Sequence, residues 1–114
     1  MSKCIFCKIA NGQMPAHIRY EDDELVAFDD INPKAPFHVL IVPKKHLKNL
    51  NDTAKIDQDL LGHLLLIAQK VAEEAKIADN GYKIVINNGK ESGQLVDHLH
   101  LHLLGGKLLA RMTV

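Results

Sequence analysis

The stretch HLHLHLL, His98 to Leu104, alternates imidazole with an apolar side chain. A period of two marks a β-strand, because successive side chains leave the backbone on opposite faces. The pattern predicts a strand over 96–104, with Leu99, Leu101 and Leu103 on its buried face and His98, His100 and His102 together on the other. Neighbouring rings on one face would stand about 6.5–7 Å apart. Three imidazoles in a row suit a packed surface poorly, since buried neighbours suppress one another's protonation. They suit an anionic ligand well, because imidazole near pH 7 is either a neutral nucleophile or a cationic donor. Spacing alone leaves three uses open: convergence on a metal ion, attack at phosphorus with companion rings holding the oxygens, or a polar strand without chemistry. Gly105-Gly106 beyond the stretch permits a sharp turn. Gly93-Gln94 before it offers backbone N–H groups and a side-chain amide suited to a phosphate.

Outward from this strand the chain alternates short apolar runs with turn residues. Ile18–Tyr20 and Leu25–Asp29 read as a hairpin turning at Glu21-Asp22-Asp23, and Phe37–Val42, bounded by Pro43, reads as a central strand. Tyr82–Asn87 is a further strand. Ile5, Phe6, Ile9 and Ala10 have helical spacing, with Asn11-Gly12 as a stop. The clearest element is a helix over about Ile56–Ala78. Its stripe is Leu60, Leu61, Leu64, Leu65, Ala68, Val71, Ala72 and Ala75, with Asp52 or Thr53 to cap its start and Asn80-Gly81 to end it. Leu66, pointing away from the main stripe, and Ile67, at its edge, hint at a second partner surface. The expected class is α+β: a mostly antiparallel sheet of about five strands, one long helix and a short N-terminal helix, in a single domain over 1–114.

Composition narrows the function. The chain has 114 residues, 46% hydrophobic, with Lys+Arg and Asp+Glu both at 14 and a formal net charge of zero. A balanced charge argues against a basic nucleic-acid surface. Aromatic content of 4% without Trp argues against a base-stacking platform. No apolar run approaches the roughly 20 residues of a membrane span. The start MSKCIFC is too short and broken for a signal peptide, so the expected compartment is the cytoplasm, where two cysteines serve as metal ligands or plain thiols.

The motif His-φ-His-φ-His-φ-φ, with φ apolar, is the signature that names the histidine triad family. CIFCKI, AFDDINPKAPFHVLIVPKKH, LLGH, GYKIVINNG and the GQ before the triad resemble its Hint branch, over nearly the whole chain from Cys4 to Gly106. The resemblance implies a hydrolase that cleaves purine nucleoside 5′-phosphoramidates or adenylates, with His100 as nucleophile, a nucleotidyl-histidine intermediate and a nucleoside monophosphate as product. A backbone carbonyl would set the tautomer of His100. It also implies His102 and His38 on the phosphate oxygens, Asp30 on the ribose hydroxyls, and Ile5, Phe6, Ile9, Phe28 and Ile31 around the base. Asn87, Gly93, Gln94 and Leu95 would lie near the phosphate or leaving group. No cofactor is required for the chemistry, and relatives are homodimers.

Three further features bear on this resemblance. Leu95 stands where many relatives carry Ser or Thr, so help to the leaving group is weakened, and a nucleotide-binding regulator with little turnover is the alternative. Cys4-x-x-Cys7 has the spacing of half a zinc site. Several bacterial relatives complete such a site with histidines that correspond to His46 and His98, a closed structural zinc rather than a catalytic one. The short tail KLLARMTV implies looser substrate choice, because the C-terminal segment can shape the partner subunit's site in relatives.

Overall fold

The computed structural model describes residues 4–109. Its strands are β1 (Ile18–Glu21), β2 (Leu25–Asp29), β3 (Phe37–Pro43), β4 (Tyr82–Val85) and β5 (Leu101–Gly105). They form one sheet in the order β1-β2-β3-β5-β4, each neighbouring pair antiparallel. Helix α1 (Ile5–Ala10) precedes the sheet, and α2 (Gln58–Glu74) connects β3 to β4. The expected α+β architecture is the observed one.

Alternation sorts the strand residues into two cores. Leu25 and Ala27 of β2, Val39 and Ile41 of β3, and Leu101 and Leu103 of β5 pack in one cluster with Leu60, Leu64, Ile67, Ala68 and Val71 of α2. The intervening residues Val26, Phe28, Leu40 and Val42 pack with Phe6 and Ala10 of α1. Ile67 is therefore core, at 6% exposure, whereas Leu65 and Leu66 are 52% and 63% exposed. The buried stripe is displaced by part of a turn from the expected one, because α2 packs on the sheet through 60, 64, 67, 68, 71 and 72.

Several boundaries differ from expectation, and β4 ends at Val85, two residues short of Asn87. β5 begins at Leu101, five residues later than the alternation suggests. Residues 96–100 are irregular, yet Leu99 still enters the α2-side core. The histidine face is also covered: His98, His100 and His102 are 0%, 5% and 8% exposed. α2 is preceded by a 3-10 turn, Lys55–Asp57, and neither Asp52 nor Thr53 caps it. Asp57 instead accepts from the Ala54 N–H at 2.9 Å and from Lys45 Nζ at 2.6 Å.

At its other end α2 stops at Glu74, well before Asn80-Gly81. Lys76 adopts φ 62°. Its N–H donates to Glu73 O at 3.0 Å, and the N–H of Ile77 donates to Ala72 O at 3.1 Å. This is a Schellman motif with Lys where Gly is usual. The turn drives Ile77 against β5, where a Cβ on Gly105 would lie 2.7 Å from Ile77 Cδ1. Gly105 is thus required by packing, and the helix ends where Ile77 must enter the core.

Within the acidic run of the first hairpin, Asp22 has a structural role. Asp22 Oδ1 accepts the N–H groups of Glu24 and Leu25, both at 2.8 Å, and Oδ2 accepts the Tyr20 hydroxyl at 2.7 Å. His63 Nε2 of α2 lies 2.6 Å from the same Oδ2. Partial burial works against ionisation of Asp22, but these bonds together hold its carboxyl well below the usual carboxylate range.

Candidate active site and metal centre

The strand register brings the triad and its companion together. β3 pairs with β5 so that Leu40 opposes His102 and His38 opposes Leu104. On β3, His38 shares the α1-side face with Leu40 and Val42 by alternation. Its ring centroid lies 5.2 Å from that of His102, which lies 5.0 Å from that of His100. Phe6 of α1 packs edge-on against His100 at 5.0 Å and His98 at 5.9 Å. Phe28 packs on Phe6 at 5.6 Å.

Hydrogen bonds determine which nitrogen of each ring carries a proton. His100 Nδ1–H donates to the carbonyl of His98 at 2.7 Å, which leaves the lone pair on Nε2. Lys34 N–H donates to His38 Nδ1 at 3.1 Å. His38 Nε2 lies 2.9 Å from His102 Nδ1 and 3.4 Å from Asp30 Oδ2. Burial pushes the pKa values of His38, His98 and His100 down, and burial together with the adjacent rings of His100 and His38 pushes His102 down to about 4. At neutral pH these rings are uncharged.

The remaining expected site residues are distributed unevenly. Asp30 is half-buried, and its Oδ1 accepts the Asn32 N–H at 2.8 Å. Phe6 and Phe28 are core residues, Ile9 is half-buried, and Ile5 and Ile31 are 38% and 85% exposed. Leu95 is 92% exposed. Asn87 is half-buried just beyond β4. Gln94, expected as a phosphate donor, braces its own loop. Its amide nitrogen donates to Lys48 O at 2.8 Å and Val96 O at 2.9 Å, and its oxygen accepts from Gly89 N. The N–H groups of Gly93 and Gln94 donate to Lys90 O and Gly89 O. An irregular loop must satisfy its own polar groups, and this one uses those donors to do so. The expectation for the tail beyond residue 109 lies outside the described residues.

Two groups among the described residues bring possible metal ligands within 4.8 Å of one another: Cys4, Cys7, His46 and His98, and Asp30, His38 and His102. In the first, His98 Nδ1 lies 3.3 Å from Cys4 Sγ and 3.5 Å from Cys7 Sγ, and His46 Nδ1 lies 3.2 Å from Cys7 Sγ. A tetrahedral zinc with ordinary Zn–S and Zn–N bonds separates its S and N ligands by roughly 3.5 Å, so the donor set fits. His98 Nε2 donates to Pro43 O at 2.7 Å, an outer partner that turns Nδ1 toward the sulfurs. The Leu99 N–H donates to Leu47 O at 2.6 Å and ties the His46 loop to the triad.

Sequence reasoning missed Lys34 and Pro43, which act through the main chain and carry no side-chain signal. The His98 carbonyl was expected only as an unnamed backbone acceptor.

A HIT domain model matches residues 11–108 of this chain. The protein belongs to the HIT domain family. It is 54% identical over 103 residues to an uncharacterised HIT-like protein of Synechocystis, covering 90% of each. It is 48% identical over 105 residues to Protein HitA of Neisseria gonorrhoeae, covering 92% of this chain and 97% of that one. Among solved structures, a HIT family hydrolase from Legionella pneumophila superposes with a TM-score of 0.95 at 44% identity, over 98% of this chain and 100% of the other. A histidine triad protein from Clostridium difficile gives 0.94 at 44% identity, over 97% and 96%.

Proposed function

We propose that the protein is a nucleotide hydrolase that cleaves purine nucleoside 5′-phosphoramidates or adenylates through a nucleotidyl-His100 intermediate. The observation that carries this reading is the His100 Nδ1 bond to the His98 carbonyl, which leaves Nε2 unprotonated on a neutral ring. Nε2 attacks the α-phosphorus, the bond to the leaving group breaks, and water then releases the nucleoside monophosphate and restores the ring. His102 stabilises the phosphoryl oxygens, a role whose loss typically costs about 10²–10³-fold in rate. His38 acts from behind His102. Asp30 holds the ribose, and the apolar side chains near α1 and Ile31 receive the base.

Cys4, Cys7, His46 and His98 hold a structural zinc in this reading; it would pin α1 to the loop after β3 and takes no part in the chemical steps. A homodimer through β4 is part of the same proposal, supported by the edge position of β4 and the exposure of Ile84. A cytoplasmic location is part of the same proposal, on the reading of the two cysteines as metal ligands or plain thiols and not a disulfide. No described helix is long and apolar enough to cross a membrane.

The test is release of AMP from adenosine 5′-phosphoramidate by the parent and by His100→Ala and His100→Asn. Turnover in the parent that falls to background in both variants, with nucleotide still bound, supports the hydrolase. Binding without turnover in the parent supports the regulatory alternative instead.

A further inference from the structure

The Asp30–His38–His102 cluster looks, by distance alone, like a second metal site. Its hydrogen bonds say otherwise. The main-chain N–H of Lys34 points at His38 Nδ1, 3.1 Å away. A nitrogen that accepts a bond cannot carry a proton, so the proton of His38 sits on Nε2. Two acceptors face that atom, His102 Nδ1 at 2.9 Å and Asp30 Oδ2 at 3.4 Å. With Nε2 protonated, His38 has no lone pair there for a metal. His102 Nδ1, which receives the bond, is itself unprotonated, and the proton of His102 must lie on Nε2.

We infer that the Lys34 main-chain N–H is a positioning group for the proposed hydrolysis: through His38 it holds His102 as the Nε2–H tautomer, a neutral donor to the substrate's phosphoryl oxygens. The inference rests on the reaction proposed above but concerns a different link of it. Two bonds run in one direction, Lys34 N–H to His38 and His38 to His102, and a bond from His102 to the ligand would continue it. Reversing any one of them would set two protons, or two lone pairs, against each other. His38 is 4% exposed, so water does not offer an alternative partner easily. The groups that face the chain electrostatically are Asp30, the Lys34 ammonium and His100. The loop that supplies the donor is Asn32-Pro33-Lys34-Ala35-Pro36, in which Lys34 stands between two prolines that have no N–H to give.

Long-range proton–nitrogen NMR spectra of the histidine rings at pH 7 test the tautomers in the free protein and need no substrate. The expected result is Nε2–H for both His38 and His102 and Nδ1–H for His100. A proton on His38 Nδ1, alone or together with Nε2, overturns the inference, whether or not the protein hydrolyses nucleotides. The kinetic arm compares two substitutions at one position. Lys34→Pro removes the N–H, and its kcat should fall about 10–100-fold below that of Lys34→Ala, with similar KM, as outer-shell partners typically do. Equal kcat in the two variants overturns it. Should Lys34→Pro fail to fold, His38→Gln, which still offers an N–H to His102, must outperform His38→Leu, which offers none. Equal loss in that pair overturns it too.

Discussion

His98 donates from Nε2 to the carbonyl oxygen of Pro43 across 2.7 Å, and this bond assigns the ring's other nitrogen to the sulfurs of Cys4 and Cys7. A main-chain acceptor on β3 thus prepares a ligand in a loop more than fifty residues later. The purified protein should contain one zinc per chain, and Cys7→Ser should abolish stoichiometric zinc while His102→Ala leaves it unchanged. Metal held only by the folded state adds about 4 kcal/mol of stability when free metal is 1,000-fold above its Kd. Elemental analysis with thermal melts before and after chelation measures both. Zinc far below one per chain, with no change on chelation, removes the site.

His102 should make the fold acid-sensitive in a defined window. Its pKa drops from 6.5 to about 4 on folding, so between those values the unfolded chain binds the extra proton. Stability is complete above about pH 6.5 and declines as pH falls toward 4. The share due to this residue is about 3 kcal/mol, because each pH unit between the two values contributes roughly 1.4 kcal/mol. Denaturant unfolding of the parent and His102→Gln at pH 7 and pH 4.5 reads the difference. The same loss in both proteins would refute the assignment.

Lys76 should be replaceable with profit. A left-handed backbone costs an L-residue about 1–2 kcal/mol, and Gly avoids most of that while giving back part through its freer unfolded state. Lys76→Gly should stabilise the protein by about 0.5–1 kcal/mol, a rise of a few degrees in Tm. No rise would mean that Lys76 gains elsewhere what its φ of 62° costs.

Leu95 makes little contact with the rest of the fold at 92% exposure, so changing it should leave stability within about 0.5 kcal/mol. A hydroxyl at this position would sit in the segment that leads into the triad. Leu95→Ser should therefore raise phosphoramidate turnover while leaving nucleotide affinity unchanged. Steady-state kinetics of the two proteins decide it, and equal kcat would show that this residue does not touch the leaving group.

Much of the fold was legible because it rests on period. The short apolar run Phe37–Val42 marks a strand buried on both faces, while the alternation of the triad and the 3.6-residue stripe of α2 place leucines and the helix in one of the two cores. The ends of elements were less legible. β5 starts late because residues 96–100 bend to carry His98 toward the cysteines and Pro43. α2 ends early because Ile77 has to reach the pocket left by Gly105, and a Lys at a left-handed position gives no warning of it.

The site divides along the same line. His100, His102 and the Cys4–Cys7 pair stand out in the chain itself by side-chain chemistry and spacing, whereas Asp30 was singled out by the family resemblance alone. The direction of every proton in the cluster was settled only by folding. Lys34 N–H, Pro43 O and His98 O are main-chain groups that every sequence possesses, and what they do depends on where β3, its preceding loop and the segment before β5 come to rest. Residue type states what a group is able to do, whereas a tautomer is fixed by the neighbour it meets.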